Sequence, residues 1–269
     1  MSADTFSDLE REGWQRNASE YDSVDLPATR QAFAPLLDSV GPLRGRHVLE
    51  VASGTGHLAA EALARGATVV GVDVAPSMVA LARQRVPGAS FREGDAEALP
   101  FQDKLFDSVL CCFGLLHFAR PVQALREAAR VLKPGGILGF TVWCAPEQGG
   151  EFLGLILKTY QAHANMDVGL PPAPPMFGLA DPSVRDPMLT EAGFREIQAR
   201  NIAIVWPIRE AETPFEFVLE GAVRTRMVYE RQTPQVQRRI RDALAAATTP
   251  HVSAGGIPSP AALVTATRT

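Results

Sequence analysis

Glu50, Gly54, Gly56, Asp73, Asp95 and His117 are the residues of this chain whose types and spacing can do chemistry together. Gly54 and Gly56 follow an apolar run, Val48 to Val51, and precede a helix-length stretch, so bare backbone and free helix N–H groups are offered to a ligand where a Cβ would collide. Asp73 ends the next apolar run, Thr68 to Asp73, where its carboxylate can accept from a ribose diol. Asp95 follows a third short strand; its carboxylate can take an adenine amino group while the Ala96 N–H donates to the ring. These residues point to a cofactor built on adenosine. The glycines alone also satisfy the loose dinucleotide pattern, through Gly54, Gly56 and Ala59. Glu50 favours a different partner, since an acid beside the turn welcomes an ammonium group and repels a pyrophosphate.

To position them, strand and helix must alternate. Strands are expected within 48–51, 68–73 and 91–94, then from Phe106 into a loop ending at His117, then after the turn at Pro134, Gly135 and Gly136. Such alternation demands a mostly parallel sheet covered on both faces. Later apolar stretches, 194–206 after a helix near 189–193 and 262–267 near the end, read as further strands.

In family order and spacing, EVASGTG (50–56), GVDVAPSM (71–78), GDAEALPF (94–101), FDSV (106–109), LHF (116–118) and RVLKPGG (130–136) resemble the class I S-adenosylmethionine (SAM) dependent methyltransferases. The likeness covers residues 45–143 and is greatest to the ubiquinone/menaquinone-biosynthesis type and its small-molecule relatives. It implies an α/β, Rossmann-like, doubly wound seven-stranded sheet closed by an antiparallel hairpin, with helical cap insertions. It also implies SAM as cofactor, with Tyr21, Glu50, Ala52, Gly54, Gly56, Asp73, Val74, Met78, Asp95, Ala96 and Phe113 at the cofactor and no metal. Ala52 stands where many relatives have a third glycine, and only a slight change in the loop is expected.

Methyl transfer from a sulfonium is a direct displacement, so alignment can supply on the order of 7–11 kcal/mol of the barrier reduction and a general base is optional. His117, in the loop after the fourth strand, is the leading candidate base; for a hydroxyl acceptor such a base would add roughly 10²–10⁴-fold. The alternative is a histidine that packs against the cofactor or orders its loop. His163 and Tyr160 are further candidates, while His47 and His57 border the nucleotide motif and His251 falls in a breaker-rich connection.

The remaining chain divides into a helical cover (1–44), the SAM-binding core (45–144), a first cap insertion (145–180), a core continuation (181–207), a second insertion (208–257) and a terminal strand (258–269). Trp14 is expected in the core. Tyr21 is expected either over the cofactor or half-buried with its hydroxyl in water. Prolines at 171, 172, 174, 175, 182 and 187 argue against a regular helix there, and 166–180 is expected to act as a cover. Large side chains in the insertions, among them Phe152, Met176, Phe215 and Phe217, suggest a large apolar acceptor pocket.

A net charge of −4 makes an electrostatic grip on nucleic acid improbable, and 269 residues at 46% hydrophobic content suit an enzyme with a sizeable core. The three cysteines, Cys111 and Cys112 adjacent, make neither a disulfide framework nor a zinc pattern and fit packing in a reducing compartment. Without a basic start, an apolar leader or a membrane-length run, a cytoplasmic location is expected. The expected function is methylation of a small, largely apolar metabolite, foremost at oxygen, with carbon or nitrogen close behind. Two rivals stand beside it, an NAD-type oxidoreductase and a SAM-binding fold turned to a non-methylating task.

Overall fold

The computed structural model describes residues 5–269. Nine strands are present among them: β1 (His47–Val51), β2 (Thr68–Asp73), β3 (Ser90–Glu93), β4 (Phe106–Cys112), β5 (Leu132–Trp143), β6 (Phe194–Ile202), β7 (Val205–Pro207), β8 (Gly256–Pro258) and β9 (Ala261–Arg268). Seven form one sheet in the order β3-β2-β1-β4-β5-β9-β6, while β7 and β8 make a separate ribbon. The first five strands run parallel, and β9 inserts antiparallel to both β5 and β6. The expected α/β sheet with its antiparallel ending is therefore found.

The strand order reverses between β1 and β4, which opens a crevice at their carboxyl ends. Both strands are apolar on both sides, as a doubly covered parallel sheet requires. Val48 and Leu110 face one core, with Leu36, Leu37 and the insertions; Leu49, Val109 and Cys111 face the other, with Leu125, Leu132 and Phe140. Leu36, Leu37, Leu49, Leu110 and Leu132 are fully buried, each stabilising the fold by roughly 1.5–3 kcal/mol relative to exposure.

The N-terminal helix α1 (Phe6–Asn17) begins with a capping box in which Thr5 and Asp8 exchange hydrogen bonds. It buries Phe6, Leu9, Glu10, Gly13 and Asn17, a helical spacing that puts one acid on the apolar side.

Two expectations need correcting. The long strand 194–206 is divided: β6 ends at Ile202, and the Ile204 carbonyl turns to accept from the Ser259 N–H at 2.8 Å, so Val205–Pro207 pairs with β8 instead. The prolines do not exclude a helix from the whole of 171–187, because one runs over Pro182–Glu191 with Pro187 inside it. Pro182 takes the first helical position, where no N–H is needed, and Asp181 caps the start by accepting from the Ser183 N–H at 2.8 Å. Upstream, 165–175 has no regular structure.

Candidate functional site

One cavity opens at the carboxyl ends of β1, β2 and β4, and its wall gathers residues from the first helix, the sheet core and both insertions, between Phe6 and Thr225. Of the residues expected at the cofactor, Tyr21, Ala52, Gly54, Asp73, Val74, Met78, Asp95, Ala96 and Phe113 line it, as does His117. Glu50 and Gly56 do not. Glu50 lies on the central strand between Gly71 and Leu110, only 3% exposed, and its Oε2 has no hydrogen-bond partner among the described residues. Burial pushes its carboxyl well above the usual range, against a partial offset from the Ala59 N–H. Gly56 starts the following helix with φ 85°, and its Cβ direction points at Ala82 and Phe91 rather than at the cavity.

The glycine turn is held by Asp73. One carboxylate oxygen accepts from the Gly54 N–H at 2.8 Å and the other from the Ala75 N–H at 2.9 Å. Burial raises the Asp73 pKa even so, outweighing those N–H groups. Gly54 has φ 50°, and a Cβ added there would meet no atom within 4 Å, so its backbone borders open space. Ala52 also has positive φ, 54°, where glycine is at ease. The small change expected at this position is in fact a strained one. Its methyl fills the room left by Gly114, where an added Cβ would stand 2.5 Å from it. Asp95 caps the next turn, accepting from the Glu97 N–H at 2.8 Å. Buried Glu97 in turn accepts from the backbone and the Nε of Arg120, at 2.7 and 2.6 Å.

His117 reaches α1. Its Nδ1 is 2.9 Å from Oε2 of Glu10, an oxygen that also accepts from the Trp14 Nε1–H at 3.1 Å, and the Trp14 and His117 rings meet edge-on with centroids 4.9 Å apart. Trp14, expected in the core, is thus part of the cavity wall, because its indole N–H needs the Glu10 partner that lies there. His117 is close enough to Asp73 to lower that carboxyl electrostatically, so the Glu10–His117 pair stands at the Asp73 end of the cavity. Glu10 was missed in the sequence.

Tyr21 is half-buried with its hydroxyl turned inward, 3.4 Å from Thr29 Oγ1. Burial pushes its phenol up, and Asp25 adds to this. The opposite end of the cavity is aromatic. Phe113 stacks on Trp143 with centroids 4.0 Å apart, and Trp206 packs against Trp143 and Phe217 at 5.5 and 4.7 Å. Phe152 stacks on Trp206 from behind at 4.2 Å. Ala173, Pro174 and Met176 also line the cavity.

Other candidates fall elsewhere. Tyr160 is buried outside the cavity wall with an unpartnered hydroxyl, and His163 is also outside it. His57 pairs with Asp22 at 3.0 Å, while desolvation lowers its pKa. His47 is exposed at the far end of β1. No cluster able to hold a metal and no membrane-length apolar helix occurs among the described residues.

Residues 49–140 match a family model described as a methyltransferase domain. The demethylmenaquinone methyltransferase of Beutenbergia cavernae is 34% identical over 191 residues, which cover 67% of this chain and 79% of that protein. The chain belongs to the class I SAM-dependent methyltransferases of the ubiquinone/menaquinone type. The enzyme of the same name from Renibacterium salmoninarum is 38% identical over 128 residues, so the chain spans about half that relative's length, 54%. A solved structure from Bacillus halodurans, described as a putative methyltransferase, has the same fold, with a TM-score of 0.57 at 24% identity over 87% of this chain and 97% of that one. SAM is therefore the family's cofactor here, and the dehydrogenase reading is set aside.

Proposed function

We propose that this protein transfers a methyl group from SAM to a small, hydroxylated aromatic acceptor of quinone-like character, with oxygen as the methylated atom. The observation that carries the reading is the single cavity with two unlike ends, Asp73 and Asp95 at one and Trp143, Trp206 and Phe217 at the other. Open backbone at Gly54 and the carboxylates of Asp73 and Asp95, all on the cavity wall, fit a cofactor that carries a ribose and an adenine. When bound, that cofactor supplies a methyl group already activated on a positive sulfur.

The chain's own residues do the rest. Asp73 uses its free lone pairs on the ribose and Asp95 its carboxylate on the base, each with charge-assisted hydrogen bonds. Met78, Val74 and Ala96 give apolar contact, and Tyr21 and Phe113 border the passage to the aromatic end. The aromatic wall aligns a flat acceptor and excludes water, which strengthens every electrostatic contact inside. His117, held through Nδ1 by Glu10, fastens α1 over the nucleoside end. A second role is favoured by the same geometry, since Glu10 fixes one ring nitrogen and leaves the other to accept a proton, as an oriented general base requires.

Carbon methylation is the second reading, supported by the name of the relatives; a phenolate shares its electron pair between oxygen and the adjacent ring carbons. Incubation with methyl-labelled SAM and a panel of hydroxynaphthoquinones, their quinols and simple phenols tests both. A labelled methoxy carbon in the product NMR spectrum supports oxygen and an aryl methyl carbon supports carbon. Binding of S-adenosylhomocysteine (SAH) without methylation of any member of the panel would sink the proposed reaction.

A further inference from the structure

Asp25 is a buried carboxylic acid in the wall of the cavity, contributed by the N-terminal helical region. It joins two short helices, Tyr21–Val24 and Leu26–Thr29, and is 5% exposed, with Oδ2 lacking a hydrogen-bond partner among the described residues. Unpartnered buried oxygens are rare in folded proteins, and one in a cavity wall marks a place for a ligand atom. Burial pushes this carboxyl well above the ordinary range with no cation to offset it, which favours the neutral form, with one O–H to donate.

Its room is made by the second insertion. A Cβ on Gly221 would lie 2.9 Å from Oδ2 and 3.0 Å from Oδ1. Gly221 ends a single π-helical turn, Phe217–Gly221, and such turns are frequent at functional sites. Phe217 carries the aromatic wall to within this turn, packed on Trp206. Asp25 and Gly221 both lie outside residues 49–140, the part that matches the family model. The acid is therefore built from segments outside the shared methyltransferase domain.

We propose that Asp25 is the polar anchor of the acceptor: it hydrogen-bonds a hydroxyl or carbonyl oxygen of an otherwise apolar aromatic molecule and so sets which molecules the cavity accepts. The inference rests on the methyltransferase reading above. An apolar wall alone discriminates weakly among flat rings, whereas a buried group left unpaired by the wrong ring rejects it strongly.

The test uses SAH-loaded protein and two probes of the same shape, 1-naphthol and naphthalene, titrated by quenching of tryptophan fluorescence. Wild type is expected to bind 1-naphthol at least about tenfold more tightly than naphthalene. Asp25→Leu should bring the two affinities within about twofold, with naphthalene bound at least as well as before, while Asp25→Asn, which keeps a donor, retains most of the preference. SAH affinity should stay within about threefold of wild type in both. If Asp25→Leu does not fold, the smaller Asp25→Ala serves, since it too removes the hydrogen-bonding group and should cut the preference by at least about threefold. A preference that survives in the Leu or the Ala variant overturns the anchor. So does a loss of SAH affinity of about tenfold or more in Asp25→Leu, which would assign Asp25 to the cofactor. Failure of the wild-type protein to bind SAH at all would instead bring down the methyltransferase reading on which the anchor depends.

Discussion

Nδ1 of His117 stands 2.9 Å from Oε2 of Glu10 across 107 positions of sequence, and this contact ties the loop after β4 to the first helix. Both partners are largely buried, with side-chain exposures of 26% and 8%, so water screens them little. If the pair fastens α1 over the nucleoside, Glu10→Gln and His117→Ala should each weaken SAH binding by about tenfold or more, the worth of one charge-assisted hydrogen bond. Turnover at saturating cofactor should fall less than about tenfold. Calorimetry and steady-state kinetics measure the two separately. A loss of about 100-fold or more in kcat for His117→Ala, with SAH affinity kept, would make His117 the base instead.

Ala52 and Gly114 form a matched pair. Alanine at φ 54° carries strain of roughly 1–2 kcal/mol, and its methyl occupies the volume that Gly114 leaves open. Ala52→Gly should therefore stabilise the protein by up to about 1 kcal/mol, the relief of strain exceeding the loss of one small contact. Gly114→Ala should destabilise it by about 1–3 kcal/mol, since the new Cβ would stand 2.5 Å from Ala52 Cβ and 2.8 Å from Cys111 Sγ. In the double variant the losses should be less than additive, because one of the two collisions is gone. Urea unfolding of the four proteins gives the cycle, and strict additivity would show that the two positions do not share this space.

The parts of the site written in local pattern were legible in the sequence. The run from Val48 to Asp73 specifies strand, turn, helix and strand within 26 residues, so Gly54 and Asp73 could be placed before any tertiary contact was known. Glu10 and Asp25 could not, since their partners lie across the fold: His117 for one and Gly221 for the other. A trace of Glu10 was present all the same, in an acid sharing the helical spacing of Phe6, Leu9 and Gly13. No comparable pattern marks Asp25. The division of 194–206 escaped because apolar residues continue through Ile202, Ile204 and Trp206, and only the pairing of β7 with β8 reveals that the chain leaves the main sheet. The helix over Pro182–Glu191 escaped because Pro187 was weighed as a breaker while the Asp181 cap was overlooked.

Glu50 gives the stability of the ligand-free protein a pH dependence of known sign. Its folded pKa is raised by burial, with Asp73 nearby adding to the rise, so the native state holds this proton more tightly than the unfolded chain. Stability from this group is fully present below the unfolded carboxylate value, about 4.3, and is lost as pH rises towards the raised folded value. Glu50→Gln has no proton to lose. The stability of the variant relative to wild type should accordingly be more favourable at pH 8 than at pH 5, by chemical denaturation in the absence of SAM. An equal difference at both pH values would mean that the carboxyl is as easily ionised in the fold as outside it.

The cover over the cavity should respond to its two ligands in two steps. At the nucleoside end, α1 is held by the buried Glu10–His117 pair and by exposed polar contacts, Arg11 to Glu93 on β3 at 3.0 Å and Gln15 to the N–H and hydroxyl of Ser77 on the helix Pro76–Arg85, each at 2.9 Å. The exposed contacts are worth less than about 1 kcal/mol each, which leaves the Glu10–His117 pair as the main polar tie that limits local opening of α1. A second part of the cover, Ala173, Pro174 and Met176, lies in a stretch without regular structure and lines the cavity. In hydrogen exchange, SAH alone should slow the amides of α1 and of the turn at Gly54. Addition of 1-naphthol should then slow 176–180 and the turn Phe217–Gly221, the prolines before Met176 having no amide to report. The helix Pro234–Val252, whose Arg238, Arg239 and Arg241 face solvent, is the internal control and should change little. Uniform slowing that includes this helix would indicate general stabilisation rather than closure. Slowing of α1 by naphthol alone, without SAH, would reverse the assignment of the two ends of the cavity.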